Sequence, residues 1–174
     1  YSDTGSYLWS SINLEPSPTR PIGYGLFIYL TSWTGSLWGP IVVQGIIVNY
    51  CIWQCVRKFF LGKSSYLIHS TLIIFLVLFS SMSWYSSQLM PDVFTALIPL
   101  LLFDFLTEKR SARQPISGVL LFIACCMHFS NIVIMFGVAI TLFGVWIFKK
   151  RLRPKLGPVA MTFALVIPIL SVGF

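Results

Sequence analysis

Few side chains in this 174-residue sequence could carry out chemistry, because 56% of its residues are hydrophobic and only 10% are charged. Two of its five acids, Asp3 and Asp92, stand beside apolar stretches, where a carboxylate can serve as a general base. Both also have a structural explanation. Asp3 could cap the start of a helix, and Asp92, directly after a proline, suits the first turn of one.

Three further polar residues complete the set of candidates. Arg20 precedes a proline, and its planar guanidinium could bind a phosphate group through two parallel hydrogen bonds. The alternative is an interfacial arginine that contacts lipid headgroups. His128 and Asn131 interrupt a long apolar stretch, where they could bind a substrate or satisfy the backbone groups that a helix break sets free.

The sequence requires no cofactor, and no set of residues in it defines a metal site. The four cysteines lie in pairs inside apolar stretches, with no histidine at zinc spacing, and are interpreted as small buried hydrophobic residues. Asp3 and Asp92, if they face one cavity, are compatible with a shared divalent cation or with a divided proton transfer.

The elements that must position these residues are membrane-type helices. No charged residue occurs in 21–56, 64–91, 114–148 or 156–174 when histidine is counted as neutral. A bilayer-spanning helix needs about 20 apolar residues, and a soluble protein would need a charged surface that this composition cannot supply. We therefore predict an all-α, polytopic transmembrane helix bundle.

Three basic clusters, at 57–63, 109–113 and 149–155, set the predicted topology. The positive-inside rule places all three in the cytoplasm, so an even number of spans must separate neighbouring clusters. A single helix over 115–148 would be about 50 Å long, too long for a hydrocarbon core of about 30 Å, so we expect it to break near His128. The resulting six spans lie at about 37–56, 65–84, 90–107, 116–129, 131–148 and 156–174.

Residues 1–36 are predicted to form an outer loop with one interfacial helix. The first 20 residues are polar and rich in proline, whereas 22–33 are apolar and aromatic, as at a membrane surface. The remaining residues, 37–174, form the transmembrane module. This topology places all five candidate residues around a cavity that opens to the outside. We also expect the sequence to be a piece of a longer chain.

Four short sequences carry a resemblance to a known family. They read Asp-Thr-Gly-Ser-Tyr-Leu from Asp3, Arg-Pro-Ile-Gly-Tyr-Gly-Leu from Arg20, Leu-Trp-Gly from Leu37, and Leu-Met-Pro-Asp ending at Asp92. In this order they resemble the amino-terminal module of the GT-C membrane glycosyltransferases, especially the mannosyltransferase-like and aminoarabinose-transferase-like branches. The similarity extends over nearly the whole chain as a pattern.

The resemblance implies a function and a set of roles. It implies transfer of a sugar from a polyprenyl-phosphate donor on the outer or lumenal side of a bacterial inner membrane or an ER-like membrane. Asp3 matches the catalytic aspartate, although Thr4 stands where many members have a second acid. Arg20 matches a lipid-phosphate contact, and Asp92, His128 and Asn131 are the other candidates for binding substrate or lipid phosphate. The expected partners are membrane lipids, the lipid-linked donor and other membrane subunits, but not nucleic acid.

Two other classes of function stay open from the sequence. A break near His128 also suits one half of a transporter or flippase, because interrupted helices line substrate sites in such proteins. Short loops suit a non-catalytic subunit of a larger membrane complex.

The predicted topology can be tested by labelling single cysteines, introduced into a cysteine-free variant, with a membrane-impermeant reagent. A cysteine at Ser86 should react from outside, and one at Ser111 should react only after the membrane is opened. The reverse pattern would contradict the assignment of the basic clusters to the cytoplasm.

Overall fold

A computed structural model describes residues 2–17, 20–32, 35–60, 62, 64–107 and 114–148. The regular elements in these ranges are α-helices, which confirms the predicted all-α class. They are α1 (Ser2–Asn13), α2 (Ile22–Thr31), α3 (Trp38–Phe59), α4 (Ser64–Phe79), α5 (Met82–Ser87), α6 (Asp92–Thr107), α7 (Gln114–Cys126) and α8 (Phe129–Phe148).

One described helix, α3, is long and apolar enough to cross a bilayer. Shorter apolar stretches lie in α2, α4, α7 and α8. The six-span arrangement therefore stays a prediction. Its last span, at 156–174, and the basic clusters at 109–113 and 149–155 lie outside the described residues.

Several predicted helix positions agree with the structure. A helix, α2, is present where an interfacial helix was expected at 22–33, and the break expected near His128 lies between the end of α7 at Cys126 and the start of α8 at Phe129. Pro21 directly precedes α2 and has a φ of −67°, which suits entry into a helix.

The outer loop predicted for 1–36 included one helix, at 22–33, and the structure adds a second, because 2–13 form α1. Tyr7, Ser10 and Ser11 are its buried residues and recur at helical spacing, but two of the three are serines, so no apolar stripe marks this face. The helix ends at Asn13. The next residue, Leu14, has a φ of 55°, in the left-handed region, and the chain leaves the helix direction there. The prolines that suggested a loop follow that turn.

The predicted span at 65–84 is also corrected, because it is interrupted after Phe79. Ser80 donates a hydrogen bond from its hydroxyl to the Leu76 carbonyl at 2.5 Å, and the same hydroxyl accepts one from the Met82 backbone at 3.2 Å. Serine side chains compete with the helix ladder in this way. Residues 82–87 form α5, so part of the connection between the predicted spans at 65–84 and 90–107 is helical.

α2 is packed tightly between α1 and the end of α7. A side chain at Gly23 would overlap the Cys126 carbonyl, and one at Gly25 would lie 2.8 Å from the Ser10 Cβ. Only glycine permits backbones to approach this closely. Tyr24, between the two glycines, is buried and forms an edge-to-face contact with Tyr7, their ring centroids 5.0 Å apart.

A buried ion pair joins α3 to α6. Lys58 Nζ lies 2.7 Å from Asp104 Oδ1 and also donates to the Asp104 carbonyl at 2.7 Å and to the Thr107 hydroxyl at 2.5 Å. The contact with Oδ1 is ionic and departs from hydrogen-bond geometry. The other carboxylate oxygen accepts a hydrogen bond from Ser117 on α7. From the sequence, Asp104 was only an acid at a helix end, so its burial among three helices was not foreseen.

Removing one partner of this pair should be much worse than removing both. Asp104→Leu leaves the Lys58 ammonium without its counter-ion and should lower the free energy of unfolding by about 3–5 kcal/mol. The double variant Lys58→Met, Asp104→Leu should recover most of that loss, because a matched apolar pair needs no counter-ion. Thermal unfolding in detergent measures both, and additive losses would contradict the coupling.

Candidate functional site

Arg20 lies at the end of a tight turn that follows α1. Its backbone N–H donates to the Ser17 carbonyl at 3.1 Å, and the next residue, Pro21, leads directly into α2. Because α2 is fixed against α1 and α7, the position of Arg20 is fixed relative to both. This local geometry brings its side chain back to the start of α1.

The guanidinium of Arg20 joins two of the other candidate residues. Its Nη2 is 2.8 Å from Asp3 Oδ2, and its Nη1 is 3.2 Å from His128 Nε2. Asp3 lies in the first turn of α1 rather than at the cap position, and His128 lies in the break between α7 and α8. The site thus assembles three elements around one cation.

The contact with Arg20 assigns the tautomer of His128. A guanidinium has only donors, so Nε2 must accept and Nδ1 must carry the proton. Nδ1–H can then donate to the Ser130 hydroxyl at 2.7 Å. The Ser130 backbone N–H also lies 3.1 Å from Nδ1, a contact that would require the other tautomer. We assign the first, because a bond from the charged guanidinium is stronger than one from a neutral backbone N–H, whereas the Ser130 hydroxyl can donate or accept and suits either tautomer.

Asp92 begins α6 and is exposed, as expected of an acid in the first turn of a helix. It is close enough to Tyr7 and Tyr24 for its charge to raise the pKa of both phenols. Asp3 acts on Tyr7 in the same direction. Burial is the larger cause of the raised pKa of both phenols, and the two carboxylates add to it at Tyr7.

Asn131 has a different environment from the other four candidates. It is buried, its amide donates to the Ala124 carbonyl at 2.8 Å, and its side-chain oxygen accepts from the Thr95 hydroxyl at 2.7 Å. These bonds tie the end of α7 and the start of α8 to α6. The side chain of Asn131 therefore holds α6, α7 and α8 together at the point where α7 ends and α8 begins.

Two tyrosines beneath the site were not singled out from the sequence. Tyr24 donates its hydroxyl to Gln44 Oε1 at 3.1 Å, and the Gln44 amide points to the carbonyls of Tyr85, Ser86 and Gln88 at 3.4, 3.1 and 3.1 Å. Tyr7 is buried under Arg20, whose Cζ lies 5.8 Å from the ring centroid. The spacing from Asp3 to Tyr7, one helical turn, would have indicated the latter only if α1 had been recognised.

An apolar groove with a volume of about 290 Å³ begins beside the polar cluster. One wall is α2 with Pro21, and the other is formed by the end of α7 and the start of α8. Met127 and Phe129, the neighbours of His128 in the chain, both line it. Arg20 and His128 are not part of the lining, but each is bonded in the chain to a residue that is.

The arrangement offers a guanidinium, an imidazole and a carboxylate. Among the described residues, no group of three or more acidic, cysteine or histidine side chains is placed to hold a metal ion. Comparison of the chain with protein-family models, with curated proteins and with solved structures finds no match.

Replacing Asn131 should test its structural role. Asn131→Leu removes the shorter of two hydrogen bonds to the Ala124 carbonyl and the acceptor of the Thr95 hydroxyl, and should lower the free energy of unfolding by about 1–3 kcal/mol. The matched control is Asn49→Leu, because Asn49 is exposed on α3 and should tolerate the same change. Thermal unfolding of both variants decides the matter, and equal stability would show that the bonds of Asn131 contribute little.

Proposed function

We propose that this protein is an integral-membrane glycosyltransferase of the GT-C type that transfers a sugar from a polyprenyl-phosphate donor to an acceptor on the outer or lumenal side. The observation that carries the proposal is the contact of Arg20 with Asp3 and His128, together with an apolar groove lined by the chain neighbours of Arg20 and His128. A substrate with an anionic head and a long apolar chain matches both parts.

The exposed surface of the helices supports a membrane location. α4 exposes large apolar side chains along its length, among them Leu67, Ile74, Phe75, Leu78 and Phe79. Soluble monomers rarely expose contiguous apolar patches of this kind. Lipid contact on several sides explains the surface without requiring a protein partner.

The donor would bind with its phosphate at Arg20 and its polyprenyl chain in the groove. Arg20 can form two parallel hydrogen bonds to phosphate oxygens. His128 borders the same position, and the walls contributed by Met127 and Phe129 are apolar, as a hydrocarbon chain requires.

The proposed reaction follows from these positions. Asp3 accepts the proton of the acceptor hydroxyl, and the acceptor oxygen forms a bond to the anomeric carbon of the sugar. The bond from that carbon to the phosphate oxygen breaks, and its electron pair stays on the phosphate, which leaves with one additional negative charge. Arg20 stabilises that charge as it develops, which is the larger contribution in many such reactions.

The Asp3–Arg20 ion pair links binding to activation of the base. In the ligand-free protein Asp3 and Arg20 bind each other. A half-exposed pair of this kind contributes under about 1 kcal/mol, so a phosphate that binds Arg20 can displace the carboxylate at little cost. Asp3 would then be free to accept the acceptor's proton.

The helix break, which also suited a transporter, has a structural explanation. The side-chain amide of Asn131 donates to the Ala124 carbonyl, and the backbone N–H of Asn131 donates to the His128 carbonyl at 3.1 Å. Polar groups that would have to face a transported solute are therefore bonded within the protein. The transferase proposal accounts for His128, which faces Arg20 instead.

Asp3→Asn is the direct test of the proposed base. Asparagine has nearly the same size but cannot accept the proton as a carboxylate does, so sugar transfer from a polyprenyl-phosphate donor should fall by about 10²–10⁴-fold. Stability should change by less than about 1 kcal/mol, because the lost ion pair is half-exposed.

The matched control is Glu15→Gln, which removes a charge from another exposed acid close in sequence. It should leave the transfer rate unchanged. Equal rates for Asp3→Asn and the wild type would contradict the role of Asp3 as base. If the wild type shows no transfer and the variant leaves cell-surface glycans unchanged, the protein is better explained as a non-catalytic subunit.

A further inference from the structure

The Tyr7 hydroxyl is an unusual group in this site. Tyr7 is 1% exposed, and within the described part of the chain its hydroxyl oxygen has no hydrogen-bond partner. Arg20 lowers the phenol's pKa through its charge and through a side-chain N–H directed at the hydroxyl oxygen, so any contact between the two uses the oxygen as acceptor. Even a shorter contact would leave the phenol's proton unused, because a guanidinium only donates.

Tyr24 shows that the surrounding structure can satisfy a buried tyrosine. It lies against Tyr7, is fully buried, and donates its hydroxyl to Gln44. An unsatisfied buried hydroxyl costs free energy that a phenylalanine would avoid. A tyrosine at position 7 therefore contributes nothing to stability through its hydroxyl, which indicates that the hydroxyl serves a bound ligand.

The charges around Tyr7 define what that ligand must supply. Burial raises the pKa of the phenol, and Asp92 and Asp3 raise it further, although Arg20 opposes them. The group therefore remains a neutral donor at physiological pH. An oxyanion with more than one oxygen matches this donor and the Arg20 guanidinium, because its charge complements the cation and separate oxygens can accept from each donor.

We infer that Tyr7 is a ligand-binding residue whose hydroxyl donates to an oxygen of the phosphate group held by Arg20. The inference rests on the proposed function, which supplies the phosphate as part of a lipid-linked donor. Arg20 covers the Tyr7 ring in the ligand-free protein. When the guanidinium turns from Asp3 to the phosphate, it uncovers the hydroxyl, so the two donors engage together.

Tyr7→Phe and Tyr24→Phe form a matched pair for the test. Both changes remove one buried hydroxyl and keep the ring contacts. Tyr24→Phe leaves Gln44 Oε1 without its donor and should lower the melting temperature by roughly 3–8 °C. Tyr7→Phe should not lower it. Binding is measured to polyprenyl phosphate in nanodiscs, with the uncharged polyprenol and inorganic phosphate as the other probes.

Tyr7→Phe should weaken polyprenyl phosphate binding by about 10-fold, the loss expected for one hydrogen bond to a charged group. Polyprenol binding should be unchanged, and Tyr24→Phe should keep wild-type affinity for both. Wild-type affinity of Tyr7→Phe for polyprenyl phosphate, or a fall in its melting temperature like that of Tyr24→Phe, would overturn the inference alone.

The remaining outcomes separate the inference from the proposed function. If inorganic phosphate binds the wild type as well as the lipid does, and Tyr7→Phe weakens both, the contact stands and the lipid-linked donor is rejected. If the wild type binds polyprenyl phosphate no better than polyprenol, both the inference and the proposed donor are overturned.

Discussion

The close contact of α2 with α1 and with the end of α7 is the constraint on which the site depends. Gly23 and Gly25 allow this contact, and a side chain at either position would separate the helices. Only Pro21 separates Arg20 from α2. The packing of α2 therefore sets the distances from Arg20 to Asp3 on α1 and to His128 after α7. The three residues are far apart in sequence, and backbone contact rather than their mutual attraction brings them together. The ion pair and the hydrogen bond among these residues then determine only the orientations of their side chains.

The amino-acid sequence predicts the helical class and most helix positions because apolar composition and charge-free length are strong signals. α3, α6 and the break at His128 follow from them directly. α1 did not follow, because its buried face includes Ser10 and Ser11, which carry no apolar signal. The interruption at Ser80 was missed for a related reason: a single hydroxyl that bonds to the Leu76 carbonyl is invisible in a pattern of hydrophobicity.

The candidate site, too, could be predicted only in part. The sequence identifies its rare polar residues, since a polar side chain in an apolar chain is costly to bury without a partner. It cannot say which of them have partners inside the protein. Asn131 has the same appearance in the sequence as His128, yet its side chain bonds to Ala124 and Thr95, whereas His128 faces Arg20. Tyr7 and Tyr24 present the opposite case, because both look like ordinary aromatic core residues and only contacts across helices distinguish them.

The two ion pairs described above have similar chemistry and different consequences. The Lys58 and Asp104 side chains are 17% and 4% exposed. Oδ1 of the carboxylate forms the ion pair and Oδ2 accepts a hydrogen bond from Ser117, so separation would leave charges in an apolar interior. The Arg20 and Asp3 side chains are 24% and 48% exposed, and water or a ligand can replace either partner. α6 carries Asp104 twelve residues after Asp92, about 18 Å along the helix. The apolar core between, which includes Phe94, Ile98 and Leu101, separates a permanent pair from an exchangeable one. An exchangeable pair is the kind that a ligand can open, and for that reason the proposed transfer reaction is assigned to Asp3 rather than to Asp104.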